Sequence, residues 1–369
     1  LKEADNRKKR YAWAFELVYE APPHPPEPGL SNPVLVEVTR GTLVESVHRG
    51  SVAIVDAEGH VAFSCGDIDA PVYPRSSLKP IQALPLLESG AADAFGLDNE
   101  HIALACASHS GEPMHTTRVA AWLERIGLGE ADLACGPHAV RYEPVWRDMV
   151  RGGEAPTRIH NNCSGKHTGF LSVAKHWGIS TQGYERHDHP VQQAVAKALG
   201  ELSQCPGELP WGIDGCAAPN FALPLRSFAI ALAKLANPQG LPKSRADAAH
   251  RIVGAMIAHP ELVAGTGRAC TILMRSAKGR AAVKTGAEGV FAGIIPERGL
   301  GVALKIDDGA GRASETTIAM LLDGLKLLGR DDAARAILHA SVINTRDATV
   351  GERRPNAAFA DAVRSQLSQ

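Results

Sequence analysis

The chain has no uninterrupted apolar run near the roughly 20 residues that span a bilayer, and no charged, apolar and small-residue leader opens it. These absences speak against a helical membrane protein or a membrane partner and lead to the expectation of a soluble, cytoplasmic one. Neither sign of charge is in excess, because 39 Lys and Arg stand against 40 Asp and Glu, a formal net charge of -1. Such a balance gives no electrostatic grip on nucleic acid or an anionic surface. Cysteine is sparse and odd in number, seven across 369 residues. That is not the even, close-set framework of a small secreted domain, so reduced thiols or metal ligands are expected. Internal repeats and a Rossmann pattern are also missing; the short match "GTGRAC" lacks a following phosphate-binding sequence.

What is there is a 44% hydrophobic chain long enough to bury a sizeable core. Residues 1–32 combine the basic "NRKKR" with the Pro-rich "APPHPPEPG" and read as a flexible extension. From Pro33, "PVLVEVTRGTLVESVHRGSVAIVDAEGHVAFSCGD" reads as strands, with "SVAIV" and "HVAFS" forming a hairpin around "DAEG". A long helical stretch follows. It includes "LKPIQALPLLESG", ending at a Gly suited to a left-handed cap, and "HTTRVAAWLERIGL", starting at a Thr. Strands return in "AAVKTGAEGVFAGIIPERGLGVALKIDDG", and the Leu-rich helix "ETTIAMLLDGLKLLG" closes a domain placed at 33–329, with 330–369 left as a helical, polar tail. Hairpins at both ends predict an α/β (α+β) fold, a mainly antiparallel sheet built from distant segments, flanked by helices and carrying a helical insert.

The chemistry starts at "PRSSLKP". In a helix Ser76 and Lys79 share a face one turn apart, and Pro80, with no N–H to return, places Ser76 at or before the first turn. There unpaired N–H groups favour developing negative charge. A serine is a weak nucleophile until a base takes its proton, which Lys79 can do if its pKa is lowered. Four residues alone match by chance. A second feature is "KTG" at Lys284, in a β-prone run far downstream, which adds a second part of the signature of penicillin-recognising enzymes; the third, Ser-Asp-Asn, is absent. "ASHSGE" offers Ser108 and His109 instead, either as a site loop or as a solvated turn. "HNNCSGKHTG" and "GIDGCAAPN" set Cys163, Lys166 and Cys216 among small polar residues, and both a zinc site and buried thiols stay open. "CGPH" (Cys135 to His138) reads as a turn with a surface His, Asp188 in "HDHP" as a helix cap, and Cys65, Cys106, Cys205 and Cys270 as inert packing.

Together "RSSLKPIQALP", "ALACASHSGE", "NNCSGKHTG", "DGCAAPNFALP", "HPELVAGTGR" and "KTGAEGV" resemble the bacterial L-asparaginase II family, the rhizobial-type or class 3 group, in the expected order. The resemblance implies a serine β-lactamase/glutaminase-like fold, a homodimer, and hydrolysis of L-asparagine to L-aspartate and ammonia. It implies Ser76, Lys79, Ser108 and Lys284 as catalytic, and Arg75, His109, Asp214 and Arg268 around the substrate. Cys163, Lys166 and Cys216 match the family's zinc positions, with zinc orienting substrate rather than activating water. Two rivals stand beside it. One is a glutaminase or another serine amidohydrolase of the same fold, since one methylene is worth only about 1–3 kcal/mol of discrimination. The other is a non-catalytic zinc or thiol sensor that would leave Ser76, Lys79 and Lys284 dispensable.

Overall fold

The computed structural model describes residues 31–205, 207–329 and 331–367. Nearly all of the expected extension 1–32 lies outside the described residues. From Asn32 onward the chain forms one compact unit.

Its strands, in chain order, are β1 (Val34–Arg40), β2 (Leu43–Val55), β3 (Val61–Cys65), β4 (Pro71–Val72), β5 (Trp211–Ile213), β6 (Pro219–Phe221), β7 (Leu223–Pro224), β8 (Ala282–Thr285), β9 (Val290–Ile295), β10 (Leu300–Ile306), β11 (Ala340–Ile343) and β12 (Thr349–Pro355). The main sheet runs β11-β12-β1-β2-β10-β9-β8, with β3 also on β2, and every pairing is antiparallel. Strand β2 does two jobs. Its exposed first half pairs with β1, while its second half, with Val52, Ala53, Ile54 and Val55 all fully buried, lies between β10 and β3. A continuous apolar run suits a strand covered on both faces. The Leu225–Ala236 helix covers β2, β9 and β10, and the Gly311–Gly324 helix packs on β1, β9, β10 and β12. The turn that precedes the Lys79–Gln82 helix docks on β8, the edge strand, and on β9.

The antiparallel sheet, its flanking helices and the helical insert agree with the expected architecture. Three local expectations need correction. "LKPIQALPLLESG" is two short helices, Lys79–Gln82 and Leu84–Glu88, because Pro85 starts the second and cannot continue the first. Its Gly90 is left-handed as expected, at φ 81. The helix at "HTTRVAAWLERIGL" begins earlier, at Pro113. Before the Pro190–Ser203 helix the cap is His189, whose Nδ1 accepts the Val191 N–H at 3.2 Å, while Asp188 pairs with Arg186.

The largest correction concerns the tail drawn at 330–369. Strand β12 pairs with β1 (Glu37 opposite Arg354), β11 extends the sheet from β12, and the Ala357–Leu367 helix buries Phe359, Ala360, Val363 and Leu367. The segment belongs to the domain. Its polar residues point outward from an edge, so alternation there looks like an unpacked end until the partner strand is known. Among the described residues no helix is long and apolar enough to cross a membrane.

Candidate active site

The helix carrying the Ser-x-x-Lys stretch opens as a tight 3₁₀ turn, Arg75–Leu78, and continues as Lys79–Gln82 with Pro80 in its first turn. Pro80 has no N–H to give, and a first turn needs none. Ser77 fastens the turn by donating to the Pro74 carbonyl at 2.6 Å. Ser76 is half-buried, and its hydroxyl has no hydrogen-bond partner among the described residues. Arg75 holds φ 54, a left-handed conformation uncommon for a residue with a Cβ. It is kept there by its N–H to Asn220 Oδ1 at 3.2 Å and its Nε to Asp214 Oδ2 at 2.9 Å. Strand β8 closes against this turn from the other side. A Cβ on Gly286, the Gly of Lys-Thr-Gly, would lie 2.6 Å from the Pro74 carbonyl oxygen, so only glycine lets the two segments meet.

Ser108 is where the two lysines converge. Lys79 Nζ donates to Ser108 Oγ at 2.9 Å, to the Ala107 carbonyl, and at 3.4 Å to the Asn162 carbonyl. Lys284 Nζ lies 2.7 Å from the same Ser108 Oγ and 2.9 Å from the Thr285 carbonyl. Ser108 is 3% exposed and each lysine 1%. Burial first, and then the charge of Lys79, hold the Lys284 pKa well below the ordinary lysine range. The loop is pinned by Ser108 N–H to the Val263 carbonyl at 2.9 Å and His109 N–H to the Asn162 carbonyl at 3.2 Å.

A second cluster adjoins the first through Asn162, whose Oδ1 lies 3.0 Å from Cys163 Sγ. Cys163 precedes the Ser164–His176 helix, Lys166 lies in its first turn, and Cys216 comes from the turn between β5 and β6. Lys166 Nζ is 3.0 Å from Cys216 Sγ, and all three residues are at most 4% exposed. The hydrogen bond from Cys163, and then the Lys166 charge, outweigh burial and hold the Cys216 thiol well below its usual range. Cys163 is pushed the other way, up to about 12, by that same bond and by burial. Burial opposes the Lys166 charge, but the two sulfurs more than offset it and raise its pKa. Burial likewise works against Asp214, yet Arg75 and Lys166 keep its carboxyl below the usual carboxylate range. Two sulfurs brought together in this way are donors that suit zinc, and the Lys166 amine would join them only once deprotonated.

All eleven residues singled out from the sequence lie in or beside this region, with differing freedom. His109 is 1% exposed and has both ring nitrogens engaged. Its Nδ1 accepts the Gly111 N–H at 3.1 Å, so its Nε2 donates to Ser164 Oγ at 2.9 Å, and Ser164 donates to the Ile159 carbonyl. That places His109 as a brace between the Ser108 loop and the helix carrying Lys166. Arg268 has a buried Nη1 with no partner among the described residues. Sequence reasoning passed over Arg141 and read His138 as a surface turn. Burial and the Arg141 charge lower the His138 pKa, and it also senses Cys163 and Lys79, which puts the "CGPHAVR" loop at the rim of the site. In the sequence only the metal-ligand spacing of Cys135 and His138 in "CGPH" marked the loop. Cys270 accepts the Thr285 N–H at 3.3 Å and so supports the strand carrying Lys284.

The L-asparaginase II family model matches residues 36–355, from β1 to the end of β12. The chain belongs to the L-asparaginase II family. It is therefore a hydrolase of the amidohydrolase kind. No curated protein matches the chain. Similar solved structures include one described as Mglu in its native form, at 13% identity and a TM-score of 0.45, covering 82% of this chain and 70% of that one. Others are a β-lactamase from Mycobacterium bovis (15% identity, TM-score 0.39, covering 74% and 94%) and a mutant simvastatin synthase from Aspergillus terreus (14%, 0.36, 87% and 91%).

Proposed function

We propose that this L-asparaginase II family member hydrolyses L-asparagine to L-aspartate and ammonia through an acyl-enzyme on Ser76. The observation that carries the reading is one buried hydroxyl, Ser108 Oγ, held 2.9 Å from Lys79 Nζ and 2.7 Å from Lys284 Nζ. Two amines on one serine form a proton relay, and the amine whose charge is disfavoured is the better placed to act as its base. Lys284 is that amine.

In the proposed reaction Ser76 Oγ attacks the side-chain carboxamide carbon as its proton passes through Ser108 to Lys284. The oxyanion faces the first-turn N–H of Ser76, which has no intrahelical carbonyl to pair with. The C–N bond then breaks, the nitrogen takes the relayed proton, and ammonia leaves. Water repeats the sequence on the ester, its proton passing to the relay and its hydroxyl to the acyl carbon, which frees L-aspartate and Ser76. Asp214, kept ionised beside Arg75, is the acceptor for the substrate ammonium. Cys163, Lys166 and Cys216 would hold zinc, with Lys166 giving up its proton to do so. When bound, the ion supplies a positive charge that anchors the polar end of the substrate.

A second reading has its own observation, since Ser108 rather than Ser76 is the serine both lysines touch. Access favours Ser76, which is half-buried where Ser108 is 3% exposed. The functional unit is proposed to be a homodimer in the cytoplasm, and light scattering reads its mass. The reaction is tested by ammonia release from L-asparagine and L-glutamine with the wild type, Ser76→Ala and Ser108→Ala. Faster turnover of L-asparagine and loss of turnover in Ser76→Ala are expected. A wild type inert on L-asparagine, or an active Ser76→Ala, overturns the reading.

A further inference from the structure

We infer that Arg141 and Arg268 together receive the α-carboxylate of the substrate, which restricts the site to free amino-acid amides; this rests on the amide hydrolysis proposed above. Nothing in the motifs marks Arg141. The structure does, because both arginines leave segments fastened to the loop that carries Ser108.

Arg141 donates its backbone N–H to the Ser110 carbonyl at 2.9 Å. On the other segment, Ser110 Oγ donates to the Ala264 carbonyl at 2.9 Å, and Thr266 donates to Glu112 through its N–H at 2.8 Å and its hydroxyl at 2.6 Å. Gly265, at φ 120, makes the approach possible, since a Cβ there would meet Ser110 Oγ at 2.3 Å. Arg268 follows at once and caps the Ala269–Ser276 helix.

Neither guanidinium has a carboxylate partner among the described residues, and Arg268 Nη1 is buried without an acceptor. Glu315, whose carboxyl senses the Arg268 charge, makes no ion pair with it. Each cation is nevertheless close enough to matter to its neighbours. The protein around Arg141, and then the Arg268 charge, lower its pKa even though its side chain reaches solvent, and Arg268 also bears on Lys284. Water reaches the exposed Arg141, whereas the buried Arg268 Nη1, a donor left unmet beside a desolvated amine, is costly until an anion joins it. A carboxylate is the anion that matches a planar guanidinium in shape and charge. L-Asparagine has one, on the carbon that also bears the ammonium assigned to Asp214.

The α-carboxylate keeps its charge through acylation and hydrolysis, so its contacts are as strong in the ground state as in the transition state. Such contacts set KM more than kcat. The experiment compares L-asparagine with β-alaninamide, which is asparagine without its α-carboxylate, on the wild type, Arg141→Met and Arg268→Met. Each variant should raise KM for L-asparagine by about 10- to 100-fold, the range expected for a lost charge-assisted hydrogen bond. Its kcat should fall by less than KM rises, and KM for β-alaninamide should move less than about 3-fold. An unchanged KM for L-asparagine, or equal weakening of both amides, overturns the assignment. Calorimetry on the wild type gives a readout independent of how the variants fold. L-Aspartate should bind at least about 10-fold tighter than β-alanine, and equal binding overturns the clamp. A wild type that releases no ammonia from L-asparagine sinks the proposed reaction, while the calorimetric comparison still decides the clamp.

Discussion

Replacing Lys284 with Met should separate activity from stability. The substitution keeps the length of the side chain and removes the amine. It deletes two hydrogen bonds, to Ser108 Oγ at 2.7 Å and to the Thr285 carbonyl at 2.9 Å, worth about 1 kcal/mol each. Against that, it removes a buried group whose charge the fold disfavours, which offsets part or all of that loss. The Tm near neutral pH should therefore change little. Ammonia release should fall by about 100- to 10,000-fold, the usual contribution of a positioned base. The pH dependence supplies a separate signature. A lysine whose folded-state pKa is depressed binds fewer protons folded than unfolded, so stability increases with pH between that folded pKa and the ordinary value of about 10.4. Wild-type stability in urea should climb as pH rises towards that ordinary value, and Lys284→Met should lack the climb. A variant that keeps kcat within about 10-fold of wild type, or whose stability follows the wild-type pH curve, would refute the reasoning.

Three further outcomes follow from the site. Gly286→Ala places a Cβ 2.6 Å from the Pro74 carbonyl oxygen, so strand β8 must shift from the Ser76 turn; a stability loss of about 1–3 kcal/mol by urea titration and a fall in kcat are expected. Asp214→Asn should raise KM for L-asparagine. Because the Asp214 carboxyl is held low, its stabilising contribution is present above the unfolded value of about 3.9 and is lost as pH falls through the lower folded value, so the variant should show a weaker acid dependence on urea titration. Cys216→Ala removes the sulfur shared by Cys163 and Lys166; elemental analysis should find zinc in the wild type and none in the variant, with KM affected more than kcat.

The local geometry was legible in the sequence because it follows short-range rules. Helical spacing put Lys79 beside the Ser76 turn, Pro80 fixed that turn at a helix start, and the hairpin around "DAEG" formed as read. What the spacing did not show is that the side chain of Lys79 reaches across to Ser108 rather than back to Ser76, which depends on how the 107–112 loop is pinned by Val263 and Asn162. The pairing of β12 with β1 was missed for a related reason. It joins Glu37 to Arg354 across nearly the whole chain, and no pattern within either strand names its partner. Arg141 escaped because its meaning lies in the company of Arg268, and an isolated arginine in a loop has nothing to distinguish it.

The most direct test of the account is to quench the wild type during turnover of L-asparagine and map the acyl group by peptide mass spectrometry. An aspartyl ester on Ser76, absent in Ser76→Ala, is the predicted result. An ester on Ser108, or ammonia release with Ser76 unmodified and replaceable, would contradict it.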